Sequence, residues 1–119
     1  MPKRVYDLEE RTFKFARDVR IFIKKLPKTT ANFEDVKQVV RSSGSVGANY
    51  IEANEKLSDK DFDFRIKISR KEAKETIYWL RLIRDTNDNI DEEMIDNLIS
   101  EVTELRKILS AILIKRNKG

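Results

Sequence analysis

Between Arg41 and Glu52 the chain reads Arg-Ser-Ser-Gly-Ser-Val-Gly-Ala-Asn-Tyr-Ile-Glu, and from Ser42 to Ile51 it carries no charge. That is unusual here, because 39% of all residues are charged, and two of the three glycines, Gly44 and Gly47, fall inside the run. Two readings of it lead to different folds. Ser-Ser-Gly-Ser clusters commonly mark a loop, which would split the segment into two short helices. Alternatively, Val36, Val40, Ser43, Gly47, Tyr50 and Asn54 step by four and three alternately, as one face of a continuous helix does. Two glycines inside a helix cost about 1 kcal/mol each relative to alanine. That cost is tolerated where small side chains let another backbone come close. The spacing favours the helix without settling it. On its other side the helix would show Ser42, Ser45, Ala48 and Asn49, small and polar, with Arg41 and Glu52 beside them.

The remaining apolar residues keep helical time too. Leu8, Thr12, Phe15, Val19, Phe22, Ile23 and Leu26 form one face, opened by an Asp7–Glu10 capping box and closed by Pro27. Thr30 or Asn32 is the expected cap of the second helix, which runs to about Lys56. Ser58 with Asp61 predicts the third start, with Leu57 and Phe62 as a hydrophobic staple. Phe62, Ile66, Ser69, Ala73, Thr76, Leu80 and Ile83 then make the seam of near-parallel helix packing. A second apolar set on that helix (Phe64, Ile68, Trp79, Leu82) implies that something covers its outside, since a surface helix of a monomer shows one apolar stripe. Asp85 to Asn89 is a turn, and Asp91 caps a last helix whose seam is Leu98, Val102, Leu105, Leu109 and Ile112. The expectation is an all-α, antiparallel, up-down-up-down four-helix bundle filling a single domain, with helices near 7–26, 33–56, 59–85 and 92–115.

The chain has neither cysteine nor histidine. Disulfides, thiolate or imidazole metal sites, Cys-His and Ser-His-Asp catalysis, and the Glu-x-x-His di-iron site of some bundles are thereby excluded. Asp59, Asp61 and Asp63, and Asp85 to Glu93, surround helix starts, where acids suit the dipole. No phosphate-binding glycine loop and no EF-hand spacing occur. Glu52, Glu72 and Glu75 are the acids on the small or apolar surfaces, where pairing with Arg41 is a simpler use than acid–base work. The expectation is therefore a chain that is not an enzyme and holds no cofactor or metal. Without a signal-like leader or a ~20-residue apolar run, it is also expected to be soluble and cytoplasmic, away from membranes.

Basic residues point to a function. The net charge is +4 and the pI about 9.3. Lys14, Arg17, Arg20, Lys24 and Lys28 stripe the first helix, and Lys67, Arg70, Lys71, Lys74 and Arg81 stripe the third, with Tyr78 among them. Lys14, Arg17, Lys24, Arg70, Lys74 and Arg81 are the candidate contacts to RNA or DNA phosphates. A solvated basic face is the competing reading of each stripe; one continuous basic surface would favour nucleic acid, and scattered charge would favour an oligomeric scaffold whose partner is a protein. Arg41, Ser45, Asn49, Glu52, Glu72, Glu75 and Trp79 are the candidates for a polar network or an interface between copies of the chain.

Arg41-Ser42, Ser45-Val46 and Asn49-Tyr50-Ile51-Glu52-Ala53 resemble the signature of the 23S rRNA intervening-sequence protein family. Leu26-Pro27-Lys28-Thr29 and Lys71 to Leu80 resemble it as well, and the likeness runs from about Asp7 into the last helix. Where that family ends its signature in Glu-Gly, this chain has Glu52-Ala53-Asn54. The resemblance implies that the signature lies inside the second helix and that the bundle assembles, as a pentameric ring. Accessory variability proteins of diversity-generating retroelements are similar bundles, which implies RNA, DNA or a nucleic-acid-processing protein as partner. An oligomeric scaffold for another protein, without nucleic acid, is the alternative.

Overall fold

A computed structural model describes residues 3–118. It contains four helices: α1 Lys3–Ile23, α2 Thr30–Asn54, α3 Asp59–Thr86 and α4 Glu92–Lys118. A helix of 28 residues is about 42 Å long at 1.5 Å per residue. The longest dimension of the molecule is 48 Å, so every short link must reverse the chain. Each helix packs against its neighbours in sequence, and α1 also meets α4. Among the described residues the backbones of the diagonal pairs, α1 with α3 and α2 with α4, stay more than 8 Å apart. The cross-section is therefore an antiparallel square.

The segment from Ser42 to Ile51 is helical throughout, and neither internal glycine takes a positive φ. The loop reading is excluded. Gly47 is buried because α1 comes close: a Cβ there would lie 2.8 Å from the Thr12 hydroxyl oxygen. On the other flank α3 approaches through small residues. Ser69 Oγ donates to the Val46 carbonyl at 2.7 Å, and the hydroxyls of Thr76 and Ser42 lie 2.8 Å apart.

Contact on two sides widens the buried arc of α2 beyond the expected line. Val39, Ser42, Ser43, Val46, Gly47, Tyr50 and Ala53 are buried, whereas Val36 and Val40 are half-buried and Asn54 is exposed. Ser42, expected on the outer face, is completely enclosed. The α3 seam is as expected, buried from Ile66 to Ile83 with Phe62 half-buried at its start. Ile95, Leu98, Val102, Leu105, Leu109 and Leu113 are its counterpart on α4.

Several ends differ from the expected ones. α1 begins at Lys3, so Asp7 lies in its second turn and is no cap. No glycine or proline between Lys3 and Asp7 interrupts the helix. It ends at Ile23, three residues early. Lys25 and Leu26 N–H donate to Phe22 and Ile23 carbonyls in tightened i→i−3 bonds, because Pro27 bars helical geometry at Leu26.

Thr29, not Thr30 or Asn32, caps α2, accepting the Asn32 N–H at 3.1 Å. Asn32 is buried and does something else. Its Nδ2 donates to the Pro27 carbonyl (2.8 Å) and Asn87 Oδ1 (2.7 Å). Asn87 Nδ2 returns a bond to Asn32 Oδ1 (2.9 Å) and reaches the Ile83 carbonyl (2.8 Å). Both amides spend both donors, which ties the first link to the end of α3.

Ser58 caps α3 at 3.0 Å as expected. The staple does not form, since Leu57 is 93% exposed. The Asp61 carboxylate draws in the Leu57 backbone N–H, and Phe62 packs beneath the cations of Lys56 and Arg116. Asp91 caps α4, accepting the Met94 N–H at 3.0 Å. Asn89 takes φ 52°, the left-handed conformation that asparagine tolerates in turns.

Candidate functional site

The seven-residue repeat divides the outer half of α3 into two flanks. Towards α2 lie Arg65, Glu72 and Trp79, with Ile68, Glu75 and Leu82 one row further out. Towards α4 and solvent lie Lys60, Lys67, Lys74 and Arg81, which recur every seven residues, with Lys71 and Tyr78 outside them. The first flank is polar and apolar by turns, and the second is cationic.

On the α2 flank, Arg41 reaches across from α2 and holds two carboxylates. Its Nη1 donates to Glu72 at 3.2 and 3.3 Å, and its Nη2 donates to Glu75. Trp79 Nε1 donates to the same Glu75 oxygen at 3.5 Å. Trp79 in turn meets the Tyr78 ring edge-on, with centroids 5.1 Å apart and planes at 79°. Arg41, Glu72, Glu75 and Trp79 are thus one connected group.

Asn49 is not part of it. Its Nδ2 donates to the Ser45 carbonyl one turn back (2.9 Å), and its Oδ1 accepts from Arg65 at 3.4 Å. Glu52 joins neither cluster: three residues beyond Asn49, it has turned to solvent. Ser45 is half-buried between them. The expected single network is therefore two clusters, Arg41 with α3 near its middle and Asn49 with Arg65 about two turns away.

Glu72 is the group that gives Arg41 its weight, because only 11% of its side chain is exposed. Removing Arg41 leaves that carboxylate largely desolvated beside Glu75, a like charge. Arg41→Ala is expected to cost about 1–3 kcal/mol, less than a fully buried pair because Arg41 itself is half exposed. Arg17→Ala removes an exposed pair with Asp18 and should stay within about 0.5 kcal/mol. Thermal melts of the two variants, side by side, check this; equal small losses would make Arg41 an ordinary surface residue.

The basic candidates do not form one surface. Because α1 and α3 are diagonal, the outward faces of Lys14 and Arg17 on one, and of Lys74 and Arg81 on the other, look in opposite directions, and Lys24 lies in the link just past α1. The two stripes also differ in their partners. On α1, Lys14 lies 4.0 Å from Glu10, Arg17 lies 3.0 Å from Asp18, and Arg20 donates to the Ala16 and Val40 carbonyls, whereas Lys24 and Lys28, in the link beyond it, have no carboxylate within ion-pair reach among the described residues. On α3, no carboxylate lies within ion-pair reach of Lys67, Arg70, Lys71, Lys74 or Arg81, because Arg41 has taken Glu72 and Glu75. Sequence reasoning could not separate these cases, since both stripes have the same composition. Among the described residues no three acids gather as metal ligands would, and no helix is long and apolar enough to cross a membrane.

Four antiparallel helices with an α2 signature held between α1 and α3, and an arginine clamp to α3, define an all-α bundle protein. The chain belongs to the 23S rRNA-intervening sequence protein family, whose model matches residues 5–111. A similar solved structure is a protein of unknown function from the S23 ribosomal protein family of Bacteroides thetaiotaomicron. It is 33% identical, with a TM-score of 0.81 over 92% of this chain and 96% of the other. No curated protein matches the chain.

Proposed function

We propose that this chain is a non-enzymatic accessory protein that assembles with copies of itself and binds RNA or DNA through basic helix faces. The observation that carries the reading is the uncompensated charge of α3: five cations between Lys67 and Arg81, while the two acids of that stretch are held by Arg41 on the other flank. Cations without carboxylate partners are free to neutralise phosphates, which releases the counterions condensed on the nucleic acid. Assembly is supported by the α2 flank, where Ile68, Trp79 and Leu82 are only half-buried, and by Phe64, 57% exposed. A ring of five is the form the family resemblance implies.

Binding is expected to be weak, sequence-tolerant and strongly salt-dependent. If about four phosphates are neutralised, affinity should fall on the order of fifty- to a hundred-fold between 50 and 200 mM salt. Filter binding across that range is the test. A second reading, a scaffold for another protein, draws on the same half-buried apolar residues of α3 and on the division of the basic residues between two opposite faces. Absence of any binding at low salt would leave that reading in place.

A further inference from the structure

Two ion pairs set the register of α3 against α4. Arg84 donates to Asp96 at 3.2 Å near one end, and Arg116 donates to Asp63 at 2.9 Å near the other. Stepping ten residues inward from the first pair lands on Lys74 and Arg106, and the second pair leads to the same level within one residue. Arg106 also shares the α3-facing flank of α4. It follows Thr103 by three residues, and Thr103 follows Asp96, whose carboxylate reaches α3, by seven.

The groove between the two clasps therefore gathers Lys67, Arg70, Lys74, Arg81 and Arg106, none with a carboxylate in ion-pair reach. The nearby acids are accounted for. Asp63 and Asp96 sit in the clasps, and Glu104, two residues from fully buried Val102, points away from the core, about 200° around the helix. At the rim stands Tyr78, 56% exposed, one turn from Lys74, its ring steadied by the edge contact with Trp79.

We infer that this α3/α4 groove, and not the α1 face, is the nucleic-acid site, and that it takes a single strand. Phosphodiester groups lie along the Lys67–Arg81 row and Arg106, and one base stacks on Tyr78. A duplex keeps its bases stacked inside and offers Tyr78 nothing, whereas every unpaired base has a free face. This inference rests on the nucleic-acid reading above and narrows it to one surface and one strandedness.

The test is fluorescence anisotropy with the full chain and labelled 20-nucleotide single-stranded RNA and DNA, plus a duplex of the same sequence, at low salt. Lys74→Glu with Arg106→Glu should weaken single-strand binding at least about tenfold, and the neutral pair Lys74→Gln with Arg106→Gln by a smaller factor. Arg17→Glu with Lys24→Glu should change it less than about threefold. Tyr78→Ala should lower single-strand affinity by roughly five- to a hundred-fold and leave duplex binding unchanged. Trp79, the one tryptophan, should report the bound strand as a change in emission. Binding of either strand that the groove pair weakens and the α1 pair does not supports the site, and the two arms tell RNA from DNA. If the α1 pair abolishes binding while the groove pair does not, the groove is wrong but the nucleic-acid reading survives. If the wild-type chain binds no strand, both fall.

Discussion

Gly47→Leu is expected to cost more than about 3 kcal/mol, while Gly44→Ala, three residues away in the same helix, leaves stability unchanged or slightly raised. The two glycines share a sequence context and differ in what they face. A Cβ at Gly47 would lie 2.8 Å from Thr12 Oγ1 and 3.0 Å from Thr12 Cβ, and Thr12 is buried. Rotating the threonine moves the oxygen but not the Cβ, so α1 itself must shift. Overpacking costs about 1–3 kcal/mol, and the upper part of that range, about 2–3 kcal/mol, applies where a helix and not a side-chain tip must yield. That outweighs the ~1 kcal/mol of helix propensity gained on leaving glycine. Gly47→Ala should thus lose about 1–2 kcal/mol net, and the three further carbons of leucine make the loss larger.

At Gly44 the added Cβ would meet only Arg20 Nη2, at 3.2 Å. That is the far end of an exposed, flexible side chain, which can move aside, so the propensity gain is kept. Urea denaturation of the three variants is the measurement. Thr12→Ala should recover part of the Gly47→Ala loss, since it removes the nearest atom. Gly47→Ala as stable as wild type, or Gly44→Ala the costlier change, would refute this account of the α1–α2 contact.

Trp79→Arg is expected to break the proposed assembly without melting the bundle. Trp79 is half-buried, packs against the edge of the core and joins Arg41 and Glu75, so its outer surface is where a second copy would sit. The surface that would meet it is the exposed side of α2, with Ala48 at its centre and the half-buried Ser45 and Asn49 beside it. Ser42 contributes nothing there, because α3 of the same chain already covers it. Bulky residues on one helix and small ones on another suit a head-to-tail contact, which closes into a ring if the rotation allows. Light scattering at micromolar concentration should give five times 14.0 kDa for the wild type and 14.0 kDa for the variant, with an unchanged helical circular dichroism spectrum. A wild-type mass of 14.0 kDa removes the assembly altogether, and twice that value keeps the contact but not the ring. Assembly that survives the substitution places the interface elsewhere.

By itself the sequence determined the four helices, their antiparallel order, the α3 seam, the α4 seam as far as Leu109 (beyond it Leu113 is buried and the expected Ile112 only half-buried) and two of the caps, Ser58 and Asp91. These depend on spacing along one helix and on bonds between residues a few positions apart, both of which are written locally. That Arg41 pairs with an acid was also legible, but the sequence offered Glu52 with either Glu72 or Glu75, and the structure gives Arg41 both of the latter and leaves Glu52 out. What only the tertiary structure decided was which neighbour each face meets. Asn32 looked like a cap and is instead half of an amide pair with Asn87, 55 residues away. Ser42 looked external and is enclosed, because α2 is held on two sides. The basic stripes of α1 and α3 read alike, yet Lys14 and Arg17 of the first lie beside acids while no cation of the second does, and the diagonal placement of the two helices turns them away from each other. Helical periodicity specifies the angle of a side chain around its own axis; the charge, backbone or ring waiting at that angle is supplied by another helix.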